Sequence, residues 1–213
     1  MKKFLHQIRT PKGNSSLGKQ ILATFFVLLL GIILGIISKY IDTTAVNELP
    51  AWFETLGLND IFDRFCVWIL LAAAISIYSR TPVRAAINTF LFFAAMVASY
   101  YIYCKYVAGF FPRSYAMIWV GFTLVSPFLA VLCWYAKGKG LLAFLLSSGI
   151  FAVLFNMTFY YGLNYFDIGY PIEAVFVLLA VFMLHKSVKQ TGAMIAVGLV
   201  IAAILNVIMP FQI

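Results

Sequence analysis

Long apolar stretches, separated by short polar turns, run along almost the whole chain. A helix that crosses a bilayer needs about 20 mainly apolar residues to cover roughly 30 Å of hydrocarbon. Segments that meet this requirement lie near residues 20–41, 62–79, 85–107, 115–135, 141–162, 171–185 and 192–210. The sixth reaches the required length only if it includes Pro171, Ile172 and Glu173. The pattern therefore predicts an all-α fold, a polytopic transmembrane helical bundle of about seven spans.

The polar residues divide the rest of the chain. Residues 1–19 form a basic segment that we expect in the cytoplasm, and residues 20–213 form a single transmembrane helical domain. Within it, residues 42–60 form an outer interfacial loop. There Trp52 and Phe53 precede Glu54, as in a short amphipathic segment at a membrane surface. This loop is either a connector or a lid over a pocket.

Charge alternates between successive loops. All 7 acidic residues fall in one set of loops, whereas 11 of the 15 basic residues fall in the other, the remaining four being Lys39, Arg64, Lys105 and Arg113. Cytoplasmic loops carry an excess of Lys and Arg, so we expect the N-terminus inside and the C-terminus outside. After the first helix, three helical hairpins are expected, turning at SRTPVR (79–84), AKGKG (136–140) and HKSVKQTG (185–192).

Composition supports a membrane protein. Hydrophobic residues make up 64% of the chain and charged residues only 10%, against about 25% charged in a soluble domain; the mean hydropathy is +0.99. The net charge of +8 comes from short turns, without a basic face interleaved with aromatic rings for base stacking. We therefore expect membrane lipids as partners and no nucleic acid.

Motifs for catalysis or metal binding fail in their context. GNSSLGKQ (13–20) has the glycine and lysine spacing of a phosphate-binding loop, but Gln20 stands at the Ser/Thr position and no strand precedes it. The two histidines have no metal-ligand spacing. A Cys66–Cys104 disulfide and packed free thiols both remain open. We predict no cofactor, no metal site and no assigned catalytic residue.

Aromatic and polar residues gather near the outer ends of the predicted helices. An aromatic belt normally occurs at both membrane interfaces, so an outer excess favours a pocket that opens outward. Asn156 lies about 22 Å along the fifth helix, and polar groups at such depth pair or line a wet cavity. The predicted ligand-binding residues are Asp63, Arg64, Trp68, Tyr100, Tyr101, Asn156, Tyr160, Glu173 and Asn206.

These residues also have structural explanations. Asp60 and Arg64 are spaced i,i+4 for an ion pair at a helix start. Glu173 follows a proline, as acidic residues often do in the first turn of a helix. The two asparagines are also explained by hydrogen bonds between neighbouring helices.

Three functional hypotheses follow. The favoured one is non-enzymatic: a protein that binds or transports a small organic molecule, in which outer aromatic rings contact the ligand and polar groups orient it. The second is an intramembrane enzyme for a lipid or lipid-linked substrate, with Asp63 and Glu173 as its carboxylates. The third is an accessory subunit of a membrane complex or homo-oligomer, packing through Gly31 and Gly35. These two glycines predict a close-packing face on the first helix, used either within the chain or between protomers.

Two resemblances add to this interpretation. The MKK start, the length and the W…SRTP…AA…YY pattern over 68–101 resemble uncharacterised multi-pass membrane proteins of Gram-positive bacteria. That resemblance implies the plasma membrane of a bacterial cell. The size and outward site are also similar to the substrate-binding membrane subunits of energy-coupling-factor vitamin transporters, which implies a small organic ligand but transfers no site residue.

Overall fold

The computed structural model describes residues 2–13, 16–58 and 60–208, and 78% of it is helical. Its helices are α1 (Lys2–Ile8), α2 (Leu17–Thr43), α3 (Ala51–Thr55), α4 (Phe65–Tyr78), α5 (Pro82–Tyr106), α6 (Arg113–Ala136), α7 (Gly140–Thr158), α8 (Pro171–Leu184) and α9 (Val188–Ile208). Among the described residues, α2, α5, α6, α7 and α9 are the five helices long and apolar enough to cross a membrane, while α4 and α8 are shorter apolar helices. A helical, membrane-compatible fold is thus confirmed. Seven spans and their orientation stay predictions.

The fifth predicted segment is too long at its C-terminal end. α7 ends at Thr158, and the chain then forms β1 (Phe159–Tyr161) and β2 (Phe166–Ile168). The two strands pair antiparallel, with Tyr160 opposite Asp167. Consecutive aromatic residues favour extended backbone, which explains why the helix stops here. The expectation of helix to residue 162 is therefore wrong.

The chain forms two compact units. The first contains α1, α3, most of α4, α7, the β-hairpin, α8 and α9, and the second contains α2, the last turn of α4, α5 and most of α6. In the first unit, α7 packs against both α8 and α9. Gly198 of α9 lies against Phe151 and Ser148 of α7, where a larger side chain would not fit.

The basic loops of the first unit hold one end of these helices together. Lys137 donates to the carbonyl oxygens of Met183 and His185, and Lys186 donates back to that of Gly138 at 2.6 Å. Burial, and then repulsion from neighbouring cations, lowers the pKa of both lysines. A turn is present at the position expected for 136–140, whereas the turn expected at 185–192 is shorter, because α9 already begins at Val188. The lysines of both turns satisfy backbone carbonyls at helix ends.

The second unit is built on close contact between α2 and α5. A methyl group on Gly31 would collide with the Phe92 carbonyl oxygen, and one on Gly35 would collide with that of Met96. The expected close-packing face is confirmed, and it is used within the chain. Because α5 occupies this face, it is not available for the accessory-subunit contact predicted through Gly31 and Gly35.

Helix α6 continues past an internal proline in the second unit. Pro127 has no N–H for the Thr123 carbonyl oxygen four residues earlier, and the Ser126 hydroxyl donates to that oxygen at 2.8 Å. The Thr123 hydroxyl donates in turn to the carbonyl oxygen of Trp119 at 2.8 Å. Side chains thus replace the lost backbone bond, as an apolar surrounding requires.

Candidate functional site

A bidentate ion pair joins the start of α4 to the first turn of α8. Arg64 Nε lies 2.6 Å from Glu173 Oε1, and Arg64 Nη2 lies 3.1 Å from Glu173 Oε2. The Glu173 side chain is 2% exposed and that of Arg64 is 24% exposed. An acidic residue in the first turn is favoured by the helix dipole, and the paired cation makes its burial tolerable.

Three further groups hold the guanidinium in place. Arg64 Nη2 also donates to the Met157 carbonyl oxygen at 3.2 Å and to the Tyr160 hydroxyl at 3.1 Å. The guanidinium carbon lies 4.3 Å from the centre of the Tyr170 ring, a cation–π contact. The Tyr170 hydroxyl donates to Asp60 Oδ2 at 3.0 Å. We call Asp60, Arg64, Tyr160, Tyr170 and Glu173 the Arg64 cluster.

The Arg64 guanidinium has more donors than the cluster uses. Arginine has five N–H donors, and none of the described residues accepts a hydrogen bond from Arg64 Nη1. The Nη1 edge of the guanidinium therefore has N–H donors that the cluster does not use.

The segment that follows α3 contacts this cluster. Gly57 has a φ of +64° and lies so close to the Tyr170 ring that a Cβ there would be 2.5 Å from it. The expected short amphipathic segment is present as α3, in which Trp52 is exposed. Contact with Tyr170 agrees with either role expected of this loop, connector or lid.

The two predicted asparagines form a separate group in the same unit. Asn156 Nδ2 donates to the Ala202 carbonyl oxygen at 2.9 Å, and the Tyr161 hydroxyl donates to Asn156 Oδ1 at 2.7 Å. Asn206 Nδ2 donates to the Tyr161 carbonyl oxygen at 3.1 Å. These bonds tie α7, β1 and α9 together, which is the structural explanation anticipated from the sequence.

Two other predicted residues of the first unit have different surroundings. Trp68 is buried, and its indole N–H donates to the Phe62 carbonyl oxygen at 2.8 Å. Asp63 is exposed, and its backbone N–H donates to the Asp60 carbonyl oxygen at 3.1 Å. The Asp63 side chain is thus exposed, whereas Glu173 is buried and both its oxygens accept from Arg64, which is unlike the shared environment of a catalytic carboxylate pair.

Tyr100 and Tyr101 belong to the second unit. The Tyr100 hydroxyl donates to Asp42 Oδ2 at 3.2 Å, and Asp42 also pairs with the buried Lys39. Tyr101 is buried with its ring centre 5.5 Å from that of Phe111. Of the predicted residues, the structure therefore brings together Arg64, Tyr160 and Glu173.

Several partners in the cluster differ from those that the sequence predicts. Its spacing pairs Arg64 with Asp60, yet Arg64 bonds to Glu173 and Asp60 accepts from Tyr170. The signal for the hairpin was present in FYYGLNYFDIGY (159–170), where aromatic residues flank glycine and asparagine, as in a short strand pair.

The expectations about cysteine and metal sites have these outcomes. Cys66 and Cys104 are both free thiols, so the disulfide alternative is wrong. Over residues 2–13, 16–58 and 60–208, no group of three His, Cys, Asp or Glu side chains is placed to hold a metal ion.

Comparisons with known proteins identify no relative of this chain. No family model, curated protein or solved structure matches the chain. The resemblances described from the sequence stay predictions, and function is inferred from the geometry of the Arg64 cluster.

Proposed function

We propose that this protein is a seven-span protein of a bacterial plasma membrane, with its N-terminus in the cytoplasm, that binds or transports a small organic molecule at the Arg64 cluster. The charge alternation between loops supports this orientation. α4 and α8 have 14 residues each, or about 21 Å of helix. They reach the roughly 30 Å of a bilayer core only with their flanking turns, and these turns carry Arg64 and Tyr170.

The observation that supports binding is the preorganised Arg64 side chain. Glu173, Tyr160 and the Tyr170 ring fix its guanidinium. A donor group that is already ordered costs little further entropy when a ligand binds. Because Nη1 has no acceptor among the described residues, it is the part of the cluster that a ligand would use.

The charges of the cluster indicate what kind of ligand fits. Asp60 and Glu173 contribute two negative charges against the single positive charge of Arg64. An additional carboxylate on a ligand would meet a net negative site, and like charges at this distance repel. An uncharged molecule with a carbonyl or ring acceptor for Nη1 avoids that repulsion. We therefore propose an uncharged, acceptor-bearing organic ligand, such as a heterocyclic metabolite.

Thermal unfolding of the purified full chain in detergent tests this proposal. Uncharged heterocyclic metabolites would be screened for stabilisation, since a ligand at 100 times its dissociation constant adds about 2.7 kcal/mol. Arg64→Lys keeps the charge but removes the planar fork, so affinity should fall about tenfold or more. Tyr160→Phe removes one group that fixes the guanidinium and should weaken binding less.

The matched control is Lys105→Gln. Lys105 is exposed and lies 5.2 Å from the Tyr106 ring centre, a cation–π contact in the second unit. This variant should bind as the unchanged protein does. The proposal fails if no compound stabilises the protein, or if stabilisation persists undiminished in a folded Arg64→Lys variant.

A further inference from the structure

A basic cavity lies in the second unit, apart from the Arg64 cluster. Its volume is about 500 Å³, within the range of roughly 300–1,000 Å³ typical of ligand pockets. The start of α2, the turn between α4 and α5 and the start of α5 line it, and it is open on one side. Its charged lining residues are Lys12, Lys19, Arg80 and Arg84.

The polar groups of this cavity are mainly donors. Arg84 Nη2 donates to the Gln20 carbonyl oxygen at 2.6 Å and also to Thr24, which fixes the guanidinium at the cavity wall. Asn88, only 7% exposed, accepts from the Thr24 hydroxyl through Oδ1, and its amide group is left as a donor. No Asp or Glu occurs among the described lining residues. Four cations in a lining whose described part holds no carboxylate attract an anion.

Local structure explains why these donors converge. Thr81 caps α5 by accepting the Arg84 backbone N–H at 3.1 Å, and Pro82 occupies the first turn. The backbone N–H of Lys12 donates to the Arg80 carbonyl oxygen at 3.0 Å. That bond places the segment before α2 beside the α4–α5 turn, so basic residues distant in sequence share one cavity.

Apolar residues form the remaining wall. Ala23 and Val27 of α2 and Ile75 of α4 line the cavity beside the cations. This is the composition of a headgroup site, where the charged part of a lipid meets the end of a membrane helix. Basic pockets of this kind between transmembrane helices bind anionic headgroups. We propose that the cavity binds the phosphate of an anionic phospholipid, with Lys19, Arg80 and Arg84 as its main ligands.

Lipid binding to the purified full chain tests the assignment. Phosphatidylglycerol and phosphatidylcholine with identical acyl chains would be titrated into the detergent-solubilised protein, and bound lipid counted by native mass spectrometry. Each basic residue contributes a factor of about five near an anionic surface. Lys19→Gln/Arg80→Gln should therefore weaken phosphatidylglycerol binding by about 25-fold, and phosphatidylcholine binding should change little.

The matched control removes the same charge elsewhere. Lys139 and Lys189 are exposed residues of the first unit, and Lys139→Gln/Lys189→Gln should leave phosphatidylglycerol affinity within about threefold. Equal losses in both double variants would indicate only a general basic surface and would overturn the proposal. Equal affinity for the two lipids would also overturn it. Displacement of phosphatidylglycerol by low-millimolar inorganic phosphate would mean that the site takes free phosphate instead.

Discussion

Glu173→Gln tests the central contact of the Arg64 cluster. The amide keeps the shape and one acceptor oxygen but loses the charge that faces Arg64, and Glu173 is almost fully buried. Breaking a buried ion pair costs about 3–5 kcal/mol. Arg64 is about a quarter exposed, so water recovers part of that loss. We expect the free energy of unfolding to fall by about 2 kcal/mol.

Unfolding in mixed micelles with a denaturing detergent would measure this change. Glu54→Gln is the control, because Glu54 is an exposed acid of α3, and it should alter stability by less than about 0.5 kcal/mol. Replacing both partners, Arg64→Met/Glu173→Leu, should recover much of the loss, since an apolar pair leaves no buried charge. If Glu173→Gln is as stable as the control variant, the ion pair does not hold α4 and α8 together.

Two further predictions concern the second unit. Gly35→Ala should destabilise the protein by about 1–3 kcal/mol, because its methyl group would meet α5. Gly121→Ala, with no atom within 4 Å of its Cβ, should be neutral or stabilising by up to about 1 kcal/mol. Equal effects of the two variants in thermal unfolding would contradict this prediction. Ser126→Ala should lower the free energy of unfolding by about 1–3 kcal/mol, because the Thr123 carbonyl oxygen loses its donor. Pro127→Ala should suppress most of that loss by restoring a backbone N–H. An equal loss in the Pro127→Ala background would contradict this prediction.

Sequence patterns predicted the helices well because a bilayer imposes one strong requirement. Any apolar run of about 20 residues satisfies its backbone as a helix, so α2 and α5 were located within a few residues. The Gly31 and Gly35 face was predictable for a similar reason, since only small residues allow helix backbones to approach so closely. These features depend on local sequence.

The partners within the Arg64 cluster were less predictable because they depend on tertiary structure. The i,i+4 spacing of Asp60 and Arg64 favours an ion pair only in a helix, and α4 begins at Phe65, after both residues. Glu173 is 109 residues from Arg64 in the chain. A single sequence has no local pattern that links such distant positions.

The seam between α2 and α5 bears on the order in which the protein assembles. α5 follows α3 and α4 in the chain, so the ribosome finishes α2 well before its partner exists. During that interval α2 has no α5 to cover Gly31 and Gly35. Packing of α5 against α2 would then complete the second unit. The time at which α5 is synthesised would determine when this unit first becomes resistant to proteolysis.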